Sequence, residues 1–398
     1  MEQNTNTFDP NDELTPKFAD IALKAIEDIS DELHEISIKI HENPEVAYEE
    51  KYAHKLLVNY MQEKGFKVTP SAFGLETAFV AEFQSEAGKD RVVSINSEYD
   101  ALPDIGHACG HNLIAISGVG AVIGLKAVLE KFEIKGTVKL LGTPAEEQAS
   151  GKVELIKAGA YDGVDISLMV HPSIYNGGFV KFLSVQTANI EYFGKPAHAA
   201  VLAYNNIGLL RQQILPTNRI HGIINNGGKS ANVILEYTSG TFLIRGNTVK
   251  DVKELQPRVH KCFEAAAEAT GCKAKITWSN EVYDVNINEP LSARYEYYLS
   301  KKFDIKFSPK DVQSTFPSAS TDQGNVTYLV PGFHAVYDIR TSINTVNHQR
   351  EFCSECKTKI AHEETIKATS GMALVGLDFL IDDEFAKQVT DFFAKSKS

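Results

Sequence analysis

The sequence predicts an α/β protein, built on a largely parallel sheet covered by helices and interrupted by a smaller α+β domain. Between Val92 and Val170, short apolar runs alternate with helical segments, and strand–helix–strand units of this length indicate a parallel sheet. Between Val185 and Trp278 the predicted order becomes β-α-β-β-α-β, which is typical of a ferredoxin-like layer of helices on an antiparallel sheet. We therefore predict a main domain formed by residues 1–183 and 291–398, and an inserted domain at 184–290.

Composition sets the broad class of the chain. The 398 residues are 43% hydrophobic and 23% charged, the profile of a soluble globular protein with a full-sized core. The net charge of -12 argues against a nucleic-acid partner, which requires a basic face. Five cysteines in a long chain argue against a disulfide scaffold and favour a reducing compartment.

Neither a leader nor a membrane span is expected. Residues 1–16 are polar and acidic, so they are interpreted as a flexible tail and not as a secretory signal. The longest mostly apolar stretch without charge, Leu113–Leu125, is too short to cross a bilayer. The sequence therefore predicts a cytoplasmic protein without a membrane partner.

The first segments show helical periodicity. Apolar residues from Phe18 to Ile40 recur every three or four positions, which predicts one helix ending before Pro44. A second helix is predicted from Glu50 to Lys64.

The alternation that follows predicts three strands and two helices. Asn112 is a suitable N-cap for the longer of these helices. The strands are Val92–Asn96, Thr137–Leu141 and Ile166–Val170, and the helices are Asn112–Phe132 and Gly151–Ala158.

The inserted domain is predicted from alternating strands and two helices. Elements of the first type return after Leu291 and close with a helix near Glu363–Leu380. The segments predicted for the insertion are the strands Val185–Phe193, Gly222–Asn225, Ala231–Tyr237, Thr241–Arg245 and Ala274–Trp278, and the helices Tyr204–Ile214 and Val252–Thr270.

Residues that bind metals or protons follow each of the three strands of the main domain. Ligands of parallel sheets bind outside the carboxyl ends of the strands, so these residues should meet at one edge. They are Asp100, His107, Cys109 and His111 after the first strand, Glu146 and Glu147 after the second, and His171 after the third.

Each group also has an ordinary structural explanation. His107, Cys109 and His111 alternate, as zinc ligands in an extended segment would, but they also suit a polar loop with a buried cysteine. Glu146 and Glu147 could provide a metal ligand and a general base, or could be solvated glutamates at a helix N-terminus.

Several residues carry little signal in isolation. A single histidine at a strand end, such as His171, is more often structural, and His348 lies in a polar loop. His198 could donate to a developing oxyanion, and Arg245 could bind a carboxylate, but surface roles are more common for both residue types. The pair Cys353 and Cys356 is interpreted as two free thiols.

Taken together, these motifs have the order and spacing of a known family. The chain resembles the amidohydrolase branch of the co-catalytic metallopeptidases, which includes aminoacylase-like enzymes, and within it the Xaa-Arg (β-alanyl-lysine) dipeptidase group. The resemblance covers nearly the whole chain. It is carried by HENPE, EYDALPDIGHACGHN, GTPAEE, MVHP, GKPAHAA, STDQGNV and VNH.

The resemblance implies a role for each candidate residue. Glu146 matches the general base, Asp100 the acid that orients the metal site, and His198 the histidine of the inserted lid that contacts the reacting carbonyl. The resemblance implies two bound divalent ions. A thiolate ligand favours zinc as the metal, while carboxylate ligands also allow manganese. His107 falls to a structural role. The implied metal ligands are Cys109, His111, Glu147, His171 and His348, and the implied substrate-binding residues are Asn232 and Arg245.

The implied reaction is hydrolysis of an amide bond in a small dipeptide or N-acyl amino acid, with a preference for a basic C-terminal residue. The resemblance also implies a homodimer formed through the inserted domain. One departure matters: a segment that the family carries after the histidine motif is missing after Ala200. The alternative hypothesis is therefore a catalytically impaired protein that binds metal or peptide.

Overall fold

The structure, a computed structural model, describes residues 16–194, 198–228, 230, 236–315 and 319–397. Its first part contains six helices and five strands. The helices are α1 Pro16–Glu27, α2 Ser30–Glu42, α3 Lys51–Glu63, α4 His111–Phe132, α5 Glu146–Ala149 and α6 Gly151–Lys157, and the strands are β1 Lys67–Pro70, β2 Phe79–Gln84, β3 Val92–Ser97, β4 Thr137–Gly142 and β5 Ile166–Ser173.

The middle of the described chain contains four strands and two helices. A short 3-10 turn follows the first of these helices at Arg211–Gln213. The elements are β6 Ser184–Phe193, α7 Ala199–Leu210, β7 Arg219–Asn226, β8 Tyr237–Gly246, α8 Val249–Thr270 and β9 Lys273–Trp278.

The last part returns to helices with one strand. The final helix, α14, follows the helix predicted to close the chain, so that prediction was wrong in this respect. The elements are α9 Glu289–Phe303, α10 Lys310–Gln313, α11 Gln323–Leu329, β10 Gly332–Asp338, α12 Arg350–Glu355, α13 Lys359–Ile381 and α14 Asp383–Ser396.

The chain divides into two compact units. Among the described residues, the first unit comprises 16–180, 286–315 and 329–397, and the second comprises those between 181 and 285 and between 319 and 328. The predicted α/β fold class is confirmed: a largely parallel sheet lies in the first unit and a separate antiparallel sheet in the second.

The first unit is organised around a six-stranded sheet with the order β1-β2-β4-β3-β5-β10. The strands β4, β3, β5 and β10 run parallel, and β1 and β2 extend the sheet as antiparallel strands. Every residue of β3 is buried, as expected for a strand covered on both faces. The strands β1 and β2 were missed by the sequence prediction, because both are short and the first is mostly polar and exposed.

The helix α4 is the core helix of this unit. It packs against β3, β4 and β5, and the helices α1, α2 and α13 pack against it. Among the described residues, this helix alone is long and apolar enough to cross a membrane, yet 83% of its most apolar stretch is buried inside the fold. It contains the predicted uncharged stretch Leu113–Leu125 and is longer than that stretch.

Two helix boundaries differ from the prediction. The single helix predicted over Phe18–Ile40 is broken between Glu27 and Ser30, where acidic residues favour a new N-terminus and both pieces can pack on α4. Asn112 is not the N-cap of α4; Gly110 occupies that position, and the Asn112 amide donates inside the core to Ser37 Oγ and to the Cys356 carbonyl.

The second unit has the sheet order β7-β8-β6-β9, and its strands and helices follow one another as β-α-β-β-α-β. This is the predicted ferredoxin-like arrangement. The strands β6 and β8 alternate between buried and less buried residues, and the helices α7 and α8 pack with the buried side chains of the sheet in one hydrophobic core. The helix predicted at Tyr204–Ile214 starts earlier, at Ala199, and of the strand predicted at Ala231–Tyr237, residues 231–235 lie outside the described residues.

Candidate metal centre

The register of the parallel sheet brings two of the predicted loops to the same level. Ser97, the last residue of β3, pairs with Gly142, the last residue of β4. The Thr143 amide donates to the Ser97 carbonyl at 2.8 Å, so the two loops leave the sheet side by side. The neighbouring strand β5 carries His171 near its carboxyl end.

The five predicted metal ligands come together in the first unit. Their ligand atoms form overlapping groups in which all atoms lie within 4.8 Å of one another. The general base predicted at Glu146 belongs to the same cluster. The groups are Cys109, His111 and His171; Cys109, Glu147 and His348; and His111, Glu146 and Glu147.

Three distances in this cluster link thiol, imidazole and carboxylate. Cys109 Sγ lies 3.4 Å from His171 Nε2. The Glu147 Oε1 atom lies 3.7 Å from His111 Nε2 and 3.5 Å from His348 Nε2. Glu147 therefore stands between two histidines that are separated by more than two hundred positions in the sequence.

Asp100 connects two of these ligands. Its Oδ1 atom lies 3.0 Å from His111 Nδ1, and its Oδ2 atom accepts a hydrogen bond from the Glu147 amide at 3.0 Å. Burial acts to raise the pKa of Asp100, but the His111 imidazole and the Glu147 amide lower it below its ordinary value. Asp100 thus orients His111 so that Nε2 faces Glu147, as carboxylates behind metal-binding histidines commonly do.

His171 is oriented by the main chain. Its Nδ1 atom lies 2.8 Å from the Pro172 carbonyl, which fixes Nδ1 as the protonated nitrogen and leaves Nε2 for the cluster. The Asn347 amide donates to the carbonyls of Cys109 and Pro172, at 3.3 and 3.2 Å. These bonds tie the loop that carries His348 to the loops of the two neighbouring ligands.

Gly110 allows these loops to approach closely. Its φ is +83°, and a Cβ atom at this position would stand 2.4 Å from Pro172 Cγ. Any side chain would therefore separate Cys109 and His111 from the His171 loop. His348 closes the cluster, with its amide donating to the Ala108 carbonyl at 2.8 Å and its side chain half exposed.

Two residues of the site were not predicted as functional. Glu98 Oε2 lies 3.4 Å from His111 Nε2, and the other carboxylate oxygen of Glu98 pairs with the ammonium group of Lys152. Both side chains are almost fully buried. The sequence offered one signal, the position of Glu98 directly after β3, whereas nothing marked Lys152, which lies 54 positions further on.

The donor set fits a bound cation. Glu98, Asp100 and Glu147 surround His111. Burial acts to lower the pKa of His111, but the charges of Asp100, Cys109 and Glu98 raise it well above its ordinary value. His111 Nε2 and Glu147 Oε1 are buried and have no hydrogen-bond partner among the described residues. Burying such groups without a hydrogen-bond partner costs free energy, and a bound cation would offset that cost. Thiol, imidazole and carboxylate are the ligand types that zinc prefers.

His107 lies apart from these groups. It belongs to none of the clusters found among the described residues, and its ring stacks loosely on His41 with centroids 6.1 Å apart. Burial lowers the pKa of His107 to about 3, so it is a neutral core residue.

The second unit carries the remaining candidate residues. His198 is exposed at the N-cap position of α7. Arg245 is partly buried near the end of β8, where its guanidinium donates to Ser320 Oγ at 3.4 Å. Asn232 lies outside the described residues.

The fold and this cluster define a class of protein that the sequence comparisons identify. The family model described as "Peptidase family M20/M25/M40" matches residues 94–359, which include Asp100, Glu146 and all five predicted ligands. The chain belongs to this family, and it is therefore a hydrolase that acts on peptide or amide bonds.

Individual relatives show which members of the family this chain is similar to. The chain is 38% identical to the Xaa-Arg dipeptidase of Mus musculus, over 90% of this chain and 88% of that protein. It is 34% identical to the Xaa-Arg dipeptidase of Homo sapiens, over 93% and 90%. It is also 27% identical to the N-acetyl-L-cysteine deacetylase of Bacillus subtilis (strain 168), over 60% and 65%. The resemblance to the dipeptidase group is confirmed.

Solved structures share the fold. The Bacillus subtilis YXEP protein, described as a dinuclear metal binding peptidase from the M20 family, superposes with a TM-score of 0.62 at 20% identity, over 88% of this chain and 99% of that one. The aminobenzoyl-glutamate utilization protein from Klebsiella pneumoniae superposes with a TM-score of 0.68 at 14% identity, over 89% and 98%.

Proposed function

We propose that this protein is a metal-dependent dipeptidase that prefers dipeptides with a basic C-terminal residue. The observation that carries the proposal is the cluster of Cys109, Glu147, His171 and their neighbours, which unites three strand-end loops and a distant loop at one site. The names of the relatives, which act on Xaa-Arg dipeptides, supply the substrate class. N-acyl amino acids are the second substrate class to be tested, since a more distant relative is a deacetylase of such a compound.

The five clustered ligands would hold two divalent ions, for which we propose zinc because of the Cys109 thiol and three imidazoles. Manganese is the second metal to be tested. When bound, such ions polarise the scissile carbonyl and lower the pKa of an attacking water.

The chain's own residues would move the proton. Glu146 is the first residue of α5 and directly precedes Glu147, and its carboxylate belongs to the same cluster. Glu147 can therefore bind a metal ion while Glu146 remains available to accept a proton. In the proposed mechanism Glu146 accepts a proton from the attacking water and returns it to the leaving amine. Asp100 keeps His111 in the required tautomer throughout.

Residues of the second unit are proposed to bind the substrate. From the family resemblance, His198 donates to the developing oxyanion, and Asn232 and Arg245 hold the carboxylate end of the dipeptide. A partly buried guanidinium such as that of Arg245 is suited to this task, because burial strengthens its attraction for a carboxylate.

We also propose that the protein is a cytoplasmic homodimer. The strand β7 is an edge strand, and it exposes Ile223 and Ile224. The helix α7 exposes Val201 and Leu209 in the same unit. Exposed apolar side chains on an edge strand and an adjacent helix favour association with a second copy. Light scattering should give about twice the mass of the chain, and Ile223→Lys should reduce it toward the monomer.

A catalytically impaired binding protein is the alternative. The helix α7 starts at Ala199, directly after His198, which agrees with a shortened connection at this point. An impaired protein would retain metal but hydrolyse none of the peptides. Restoring a family-like segment after Ala200 should then recover turnover, whereas an active wild-type protein rules the alternative out.

The decisive experiment is an assay of metal-supplemented protein against matched dipeptides. Peptides with the same N-terminal residue and C-terminal Arg, Lys, Leu or Glu should be cleaved fastest when the C-terminal residue is basic. A chelator should abolish turnover, and zinc should restore it. Elemental analysis showing no transition metal in active protein would overturn the metal-dependent mechanism, and equal rates on all four peptides would overturn the preference.

A further inference from the structure

Glu50 is a buried carboxylate that holds a turn next to the candidate metal centre. It is fully buried at the N-terminus of α3. Its Oε1 atom accepts a hydrogen bond from the Ala145 amide at 2.8 Å, and its Oε2 atom accepts one from Thr77 Oγ1 at 2.8 Å. The side chain therefore joins two segments that are 68 positions apart.

The Ala145 turn requires support of this kind. Ala145 has a φ of +62°, in the left-handed region, which is strained for a residue with a Cβ atom. Its carbonyl accepts hydrogen bonds from the amides of Ala149 and Gly151, both at 3.2 Å. Ala145 is fully buried, so its amide cannot bond to water, and the Glu50 carboxylate supplies the acceptor that this amide needs.

The turn determines where the proposed base and one ligand stand. Ala145 directly precedes Glu146 and Glu147, and it is the N-cap of α5, a helix of only four residues. So short a helix has little rigidity of its own. The direction in which both glutamates leave the turn therefore depends on the main chain at Ala145.

We propose that Glu50 is a positioning residue, which fixes Glu146 and Glu147 at the metal centre through its hydrogen bond to the Ala145 amide. It acts through the main chain and is not one of the clustered ligands. The proposal rests on the proposed function insofar as Glu146 is the base, but the positioning itself is a property of the fold.

The protonation state of Glu50 does not interrupt this contact. Burial, together with the negative charge of Asp100, raises the pKa of Glu50 to about 7. In the neutral acid the carbonyl oxygen can still accept from Ala145 while the hydroxyl donates to Thr77 Oγ1. A glutamine can form the same two hydrogen bonds, so Glu50→Gln is the conservative variant.

The experiment compares Glu50→Ala with Glu50→Gln in the full-length, zinc-loaded protein. For Glu50→Ala we expect kcat to fall about 10- to 100-fold with KM changed less than about threefold, because the base is displaced but the binding residues remain. Glu50→Gln should stay within about threefold of wild type in both parameters. Glu50→Asp, which keeps the charge but withdraws the carboxylate, should lose about tenfold in kcat and serves if the alanine variant does not fold.

A second readout is independent of catalysis. Hydrogen exchange followed by mass spectrometry should show faster exchange in the peptide covering residues 143–150 for Glu50→Ala, but not for Glu50→Gln. This measurement decides the positioning role even if the wild-type protein cleaves none of the tested peptides. Folded Glu50→Ala or Glu50→Asp protein with wild-type kcat and exchange would overturn the proposal, as would a Gln variant as impaired as the Ala variant.

Glu45 offers the matched control. Its side chain lies five positions earlier and accepts hydrogen bonds from the Tyr52 and Ala53 amides at the start of α3. Glu45→Ala should lower the melting temperature while leaving kcat and the exchange of residues 143–150 unchanged. A loss of kcat in this control equal to that in Glu50→Ala would show that general destabilisation of α3 is responsible, and would overturn the specific role.

Discussion

The metal centre of the first unit and the candidate substrate residues of the second unit differ in how deeply they are buried. In the first unit, the Asp100 carboxylate contacts both the His111 ring and the Glu147 amide, and the Glu147 carboxylate lies between the imidazoles of His111 and His348. In the second unit, His198 is exposed and Arg245 has a long contact to Ser320. The comparison teaches that the metal centre is built within one folded unit, whereas the proposed substrate contacts come from side chains of the other unit.

Replacing the proposed base should give the largest effect. Glu146→Gln is expected to lower kcat by about 10²- to 10⁴-fold while metal content stays at the wild-type level, because the amide cannot accept the proton. Steady-state kinetics and elemental analysis check this. Glu154→Gln, in the next helix of the same unit, should behave as wild type. Undiminished activity of Glu146→Gln would reject the role of the base.

Removing the orienting carboxylate should weaken the centre itself. Asp100→Ala is expected to reduce zinc affinity about 10- to 100-fold, because His111 Nδ1 and the Glu147 amide lose their common partner. Competition with a chelating dye would measure the affinity. Asp104→Asn, in the exposed part of the same loop, is the control and should bind zinc normally. Equal affinities of the two variants would contradict the orienting role.

A change in the second unit should separate substrate binding from metal binding. Arg245→Met is expected to raise KM about tenfold for dipeptides with a free carboxylate and to leave zinc content unchanged. Arg219→Met is a close control, since Arg219 is paired with Arg245 across β7 and β8 and donates to nearby carbonyls. If both variants showed the same KM, or if Arg245→Met lost zinc, the division of labour between the units would be wrong.

The smallest effect on activity is expected for Glu50→Gln, which instead changes how stability depends on pH. The pKa of Glu50 is raised to about 7 in the folded protein, above its ordinary value of 4.5, so the folded state keeps a proton that the unfolded state has released. The contribution of Glu50 to stability is therefore full below pH 4.5 and is lost as the pH rises through 7. Glu50→Gln does not titrate, so its free energy of unfolding relative to wild type should increase by about 2 to 3 kcal/mol between these pH values.

Urea unfolding of both proteins at pH 5 and pH 8 would measure this difference. A relative stability that stays constant or moves in the opposite direction would show that Glu50 is already ionised at pH 5.

Sequence alone determined the strands whose hydrophobic and polar residues follow a simple pattern of burial. The short, mostly uncharged run of β3 between helical segments predicted the parallel sheet, and the alternation of β6 predicted the antiparallel one, because burial on two faces or on one leaves these patterns. The rule that ligands gather at the carboxyl ends of parallel strands predicted that Cys109, Glu147 and His171 lie at one edge, and the structure places their ligand atoms in overlapping groups that share Cys109. His348 needed the family resemblance, since its polar loop gave no local signal.

Tertiary structure decided what depends on contacts between distant segments. Glu98 meets Lys152, and Glu50 meets Ala145, across separations that leave no periodic trace in the sequence. The break between α1 and α2 likewise follows from packing on α4 and not from local spacing, which was continuous. A sequence pattern records which side chains must be buried, whereas the partner that a buried charge receives is set only when the chain has folded.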